Sequence, residues 1–443
     1  MGTYLNRTLS SPNVNKFTVS QWVKGISLSG DDYLFALSAP GHHVHVRRDG
    51  NMKLQSQLYN GGVQIGQLIS SAVYRDPASW YHVVYRQDLE NSTANQRNRL
   101  YVNGEEMTYG TQQNPSGTNS GSGMTLNTFK TTSYSGTGDN FTGYMTDLNY
   151  FDGYSYGPDS FGETDSTTGE WKPKVDFTGV TYGTNGFRCQ FGNAAALGTD
   201  TSGNSNTLTV NNAGTNAKTV DTATNNFCTL NPLQQTTAIT LSNGNLVATN
   251  TSNDQGAAGT MAFSAGKWYW EVKLVNKVET GINLDSNILQ LSNDSTLGSN
   301  DNNLKQTALV TNSAGGSNDF RFNGSTETVN STACSNGDIL MVAVDADNTK
   351  IYYGKNGTWM NSGNPAGGSG ELKNFSSGYT AGNFITPTFQ NGLGSTASCQ
   401  FNFGNPPFTI ASGNADANGH GNFEYAVPSG YYALCTKNIN SYG

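Results

Sequence analysis

Apolar and polar residues alternate along this chain in short runs, and a 3.6-residue helical spacing is almost nowhere sustained. Alternation with period 2 places successive side chains on opposite faces of a strand. In Phe17-Thr18-Val19-Ser20-Gln21-Trp22-Val23 the residues Phe17, Val19 and Val23 share one parity, and the pattern is plainer in Val342-Ala343-Val344-Asp345 and Ile351-Tyr352-Tyr353. Further strands are expected at 33–37, 43–47, 80–85, 100–102, 144–151, 187–191, 268–274, 339–344 and 399–403. Asn103-Gly104, Asp152-Gly153, Asn323-Gly324 and Asn356-Gly357 supply residues that accept positive φ, the chemistry of tight reversals. Many short strands separated in this way predict an all-β chain of two consecutive antiparallel β-sandwiches.

Two polar tracts interrupt the alternation. Residues 111–123 form an excursion inside the first half, and residues 199–226 are nearly devoid of aromatics. The second tract divides the chain into a sandwich over 1–198, a polar linker over 199–230 and a second sandwich over 231–443. Both halves close alike, on Cys189-Gln190-Phe191-Gly192-Asn193 and on Cys399-Gln400-Phe401-Asn402-Phe403-Gly404-Asn405.

Composition narrows the function. The 443 residues include 53 Gly, only 13% are charged, and 24 Lys+Arg against 32 Asp+Glu give a net charge of -8. So few cations cannot neutralise a run of phosphates, which argues against nucleic acid as a partner. No apolar stretch approaches the ~18 residues of a membrane span. Five Cys, an odd number with no C-x-x-C, read as reduced, mostly buried thiols. Residues 1–7 lack the basic start and apolar run of a secretory leader, so synthesis in a cytoplasm is expected. The Gly-, Asn-, Ser- and Thr-rich remainder resembles a surface that works outside a cell.

Candidate chemistry is sparse. A glycan-cleaving jelly roll shows Glu or Asp at alternate strand positions, and no E-x-D-x-E run is present; Glu105 and Glu106 are adjacent and follow a turn. No G-x-S-x-G or phosphate-binding loop occurs. No cofactor is expected. His43 and His45 alternate and would project to one side of a strand, making them a metal candidate, against which stands a plain polar strand face. Asp200, Ser202 and Asn204 alternate too, with oxygen ligands of the kind Ca²⁺ accepts, or with the oxygens of an Asx-turn loop. Among six Trp, Trp22 and Trp80 are expected in the core, while Trp359, three residues beyond Asn356 on a hairpin, is the candidate exposed ring. Asn356 and Trp359 are therefore the candidate binding residues, acting through loops by neutral hydrogen bonds and ring stacking.

The first half resembles laminin-G-like, concanavalin-type jelly rolls. Phe17-Thr18-Val19-Ser20-Gln21-Trp22-Val23-Lys24, Trp80-Tyr81-His82-Val83-Val84, Leu100-Tyr101-Val102-Asn103-Gly104 and the Phe141-x-Gly143-x-x-x-Asp147 run carry the likeness, which covers residues 1–191. The second half resembles a SPRY domain, through Gly266-Lys267-Trp268-Tyr269-Trp270-Glu271-Val272, Gly337-Asp338-Ile339 leading into Val342 to Asp345, and Tyr352-Tyr353-Gly354-Lys355-Asn356-Gly357. Between 281 and 335 an Asn/Ser-rich insert departs from that pattern.

In this order the two halves are similar to virion proteins of marine tailed bacteriophages. The resemblance implies a non-enzymatic virion protein, made in the host cytoplasm, with other virion proteins and host cell-envelope glycans as partners. A tail fibre or other adsorption component is the leading expectation. A passive capsid-decoration or tail structural protein, and lastly a glycan-degrading enzyme, are the alternatives. Closed symmetry, taken as a homotrimer, is expected of any assembly.

Overall fold

Strands form where the alternation and the turn chemistry agree. In the computed structural model, Asn103 and Asn356 take φ of 50° and 47°, and the Gly after each takes 87°. Two-residue reversals result, pairing Val102 with Glu105 and Lys355 with Thr358. Asn323 also has positive φ, while Gly324 lies outside the described residues. Those residues are 3–28, 30–116, 121–131, 141–214, 217–252, 255–276, 279–284, 306–310, 319–323, 325–327, 329, 331–391 and 396–443. Asp152-Gly153 makes no hairpin: Asp152 ends a long strand, and its carboxylate accepts from the Asn13 backbone and the Asn185 amide at 2.7 Å each.

The chain is nearly all-β and forms two consecutive antiparallel sandwiches. Its two compact units are residues 1–218 with 222–224, and residues 219–221 with 225–443. Among the described residues the first unit has an eight-stranded and a six-stranded main sheet, the second a seven-stranded and a nine-stranded one.

In the first unit Phe17, Val19 and Val23 of Lys16–Gly25 meet Phe35, Leu37, Val44 and Val46 of the opposing sheet in one apolar core. The other side of Lys16–Gly25 carries Thr18, Ser20, Trp22 and Lys24, and these are buried as well. Thr18, Ser20 and Trp22 are covered because residues 154–182 return across the outer face of the six-stranded sheet, while Lys24 lies over the Tyr144 ring at 5.4 Å. There Trp22, Trp80 and Tyr144 pack with Trp171, and Val84 and Phe151 pack with Phe161 and Phe177. Trp22 is thus buried as expected, but on the outer face and not between the sheets.

The second unit repeats this arrangement. Trp268 and Trp270 of Lys267–Leu274 enter the core with Ile282, Leu309 and Phe389. Tyr269, between them, lies on the outer face of the nine-stranded sheet beneath Phe423 and Tyr431. Glu271 shares that outer parity and is fully buried. Its carboxylate accepts from the Glu424 and Tyr425 backbone amides at 3.0 and 2.8 Å, the Tyr269 hydroxyl at 3.0 Å and the Asn402 amide at 3.1 Å. Burial pushes this carboxyl up, and the two backbone donors offset only part of that rise.

The tract expected as a linker is in part structural. Thr209–Asn211 adds an edge strand beside Tyr4–Thr8 in the first unit, and Cys228 and Leu230 lie in the core of the second. All five cysteines are free and buried. Of the polar excursion at 111–123, residues 111–113 belong to the edge strand Tyr109–Gln113, and 117–120 lie outside the described residues. Most of the 281–335 insert also lies outside them, apart from strands such as Gln306–Val310 and Asp319–Phe322.

Replacing Glu271 by Leu leaves four buried donors without their acceptor. The expected cost is about 3 kcal/mol, read as a lower denaturant midpoint with the slope unchanged.

Candidate functional site

Two polar constellations stand out in the first unit, one closed and one open. The closed one joins Ser20 and His82, neighbours on adjacent strands of the six-stranded sheet. Their Oγ and Nε2 atoms are 2.9 Å apart, the contact of a serine nucleophile and its base. On the other side of the ring, the Trp171 indole donates to His82 Nδ1 at 3.0 Å. An indole N–H can only donate, so Nδ1 accepts and the single proton of the neutral ring sits on Nε2. His82 therefore gives a hydrogen bond to Ser20 and has no lone pair with which to take its proton. Trp22 stacks on the imidazole at 4.8 Å, and Trp171 lies nearly parallel to it at 6.1 Å. Burial drives the imidazole down to about 3, so it stays uncharged at neutral pH. The Trp171 ring is seated on glycine: a Cβ on Gly104 would come within 2.8 Å of it. This pair is a structural stack, and nothing in the sequence spacing announces it.

The open constellation is the outer face of the eight-stranded sheet. Val44 and Val46 of His42–Arg48 point into the core, so His43, His45 and Arg47 point out. On Leu54–Asn60 the inward Leu54 and Leu58 leave Gln55, Gln57 and Tyr59 outside. Strand register then sets these residues in rows. His45 faces Gln57, Gln57 faces Gln67, and Gln67 faces Gln113. In the adjoining row His43 faces Tyr59, which faces Gln64. Gln64 gathers the rows together: its Oε1 accepts from Gln57 at 3.2 Å and from the Tyr59 hydroxyl at 3.0 Å, and its Nε2 donates to Gln113 at 2.9 Å. His43, Gln57, Tyr59, Gln64 and Gln67 are half-buried and Gln113 is exposed. The result is a surface of carboxamides flanked by rings.

His43 and His45 do share one side, as the alternation requires. Their rings stack at 5.4 Å with 12° between planes, and His43 stacks on Tyr59 at 4.3 Å. Near-parallel imidazoles hold their in-plane lone pairs in separate, nearly parallel planes, which serves packing and not convergence on one ion. Burial lowers His43 and drives His45 down to about 3, the latter helped by His43 and Arg47. Among the described residues no group of three or more His, Cys, Asp or Glu is placed to hold a metal.

The other sequence candidates are committed elsewhere. Asp200 accepts from the backbone amides of Arg188, Ser202 and Asn206 at 2.9, 2.8 and 2.7 Å and from the Ser202 hydroxyl at 2.9 Å. Asn204 donates to the Gly183 and Gly186 carbonyls. Asp200, Ser202 and Asn204 thus form the Asx-type loop, with the carboxylate oxygens occupied by donors. Asn356 spends its amide on its own hairpin, accepting from the Ile339 backbone at 2.9 Å and donating to Asp338 at 2.7 Å. Trp359 is half-buried against Tyr269, at 6.4 Å. The structure places neither Asn356 nor Trp359 as a free loop contact, whereas the carboxamide face was missed. Its signal is present in Leu54-Gln55-Ser56-Gln57-Leu58-Tyr59, with Gln at alternate positions.

Residues 2–154 match the family of concanavalin A-like lectins and glucanases, in its laminin-G form. No curated protein matches the chain. Among solved structures, the SPRY domain of human HERC1 is similar at 14% identity and a TM-score of 0.29, covering 39% of this chain and 96% of that one. The PSpry domain of TRIM65 is similar at 14% and 0.30, covering 40% and 91%. The heptameric SAP-like pentraxin of Limulus polyphemus is similar at 16% and 0.25, covering 35% and 71%.

Two neutral, buried imidazoles make the first unit acid-sensitive. Unfolded, each titrates near 6.5; folded, His45 and His82 both titrate near 3. Between those values the unfolded chain binds more protons, so their contribution is full above pH 6.5 and is lost as pH falls toward 3. The loss is about 1.4 kcal/mol per pH unit for each ring, or about 4 kcal/mol for the pair by pH 5. Denaturation followed by tryptophan fluorescence should show this slope, and His45→Gln should roughly halve it.

Proposed function

We propose that this protein is a non-catalytic adsorption component of a bacteriophage particle, a tail fibre or comparable surface protein, that binds host cell-envelope glycans. The observation that carries the reading is the carboxamide face of Gln57, Gln64, Gln67 and Gln113 beside Tyr59 and His43. Carboxamides both donate and accept, as sugar hydroxyls do, and a sheet fixes their spacing more firmly than a loop. The likeness of residues 2–154 to concanavalin A-like lectins and glucanases supports a carbohydrate ligand. The particle setting is supported by the laminin-G-then-SPRY order and by the sparsely charged composition. The absence of chemistry is supported by the locked tautomer of His82 and by the lack of an E-x-D-x-E run in the sequence. Many copies displayed on one particle would raise weak single-site affinity without new contacts.

Immobilised full-length protein probed with envelope polysaccharide from a permissive host should bind, and Gln64→Ala or Tyr59→Ala should raise Kd about tenfold, equivalent to about 1.4 kcal/mol. Failure of any glycan to bind, in monomeric or multivalent format, would leave the passive structural role as the better reading. Release of reducing ends abolished by a single Glu or Asp substitution would establish an enzyme instead.

A further inference from the structure

We infer that the carboxamide face selects an uncharged glycan and rejects uronic, sialic or sulfated ones. The inference rests on the glycan-binding reading and adds the charge class of the ligand. It follows from an accounting of every ionic group on that face. Arg47 is ion-paired with Asp31, donates to Gln55 at 3.1 Å and lies over the Tyr33 ring at 5.6 Å, so its charge is matched and its Nε and Nη1 donors are engaged. His42 is tied to Asn60 at 2.9 Å and to the Gly61 backbone at 3.1 Å. His43 and His45 use their ring faces against Tyr59 and each other, and burial lowers both.

Besides Lys53, which precedes the strand Leu54–Asn60 and stands four residues, about 13 Å, from Gln57, one cation is left over among the described residues of this face, Lys130. It faces Ala36, which faces His45, which faces Gln57. Three strand steps of about 4.8 Å place it about 14 Å from the carboxamide cluster. An anionic sugar seated on Gln57, Gln64, Gln67 and Gln113 would therefore surrender hydration with no cation of the described residues rooted closer than about 13 Å to replace it, a cost that a neutral hydroxyl or acetamido group does not meet. Carboxamides also satisfy a hydroxyl in either hydrogen-bonding sense, whereas a carboxylate or sulfate can only accept.

Full-length protein should be tested against matched oligosaccharide pairs differing only in oxidation or sulfation, from low salt to about 1 M. The expected result is binding of the neutral member, at least tenfold preference over its anionic partner, and less than twofold change in Kd across the salt range. Gln67→Ala and Gln113→Ala should each weaken it severalfold, and Lys130→Ala should leave it unchanged. Preference for the anionic member, with affinity that falls as salt rises and disappears in Lys130→Ala, overturns the inference while the glycan-binding reading stands. Neutral binding untouched by both Gln substitutions overturns the assignment to this face. No glycan binding of either kind overturns both.

Discussion

The Trp171 indole laid against His82 determines what each face of the first sandwich is free to do. By donating to Nδ1 it fixes the imidazole proton on Nε2, and by its bulk it seals Ser20 and Trp22 from solvent. A serine and a histidine at hydrogen-bonding distance are thereby converted from a reactive pair into cladding. The segment that brings Trp171 also closes the outer face of the six-stranded sheet, so the polar face that remains open belongs to the other sheet.

The second unit reaches a similar end with a carboxylate in place of a ring stack. Glu271 holds the Glu424–Tyr425 backbone against the nine-stranded sheet, where Tyr269 and Phe423 complete an apolar layer. A buried ion is costly unless its lone pairs are filled, and here four donors fill them. In both units a later piece of chain covers an earlier sheet, held by a polar group that alternation alone would assign to solvent.

That is why the strands were legible in the sequence and the faces were not. Phe17, Val19 and Val23 announce an inward side, because core burial repeats every second residue. Ser20 and Trp22 carry no mark of being buried too, since the segment that closes over them comes from beyond residue 153. The spacing marks Asn356 as a turn former, and the fold confirms that, but the spacing does not show that the start of the neighbouring strand, at Asp338 and Ile339, takes up its amide. Asp200, Ser202 and Asn204 showed their alternation, but only the fold shows that backbone donors fill the carboxylate. The carboxamide rows depend on register across four strands and on an irregularity between Leu58 and Tyr59, which no single run of sequence contains. The rings of His43 and His45 were placed on one side by alternation, while their stacking on Tyr59 required the neighbouring strand.

The burial of all five cysteines has a bearing on durability. Thiolates, not thiols, react with oxidants and disulfides, and burial holds Cys189 up near 12 and Cys399 well above its ordinary value. With every sulfur buried, copies crowded together have no accessible route to cross-linking. Such a molecule can pass from reducing to oxidising surroundings with its covalent structure unchanged, relying on packing and hydrogen bonds alone for its permanence.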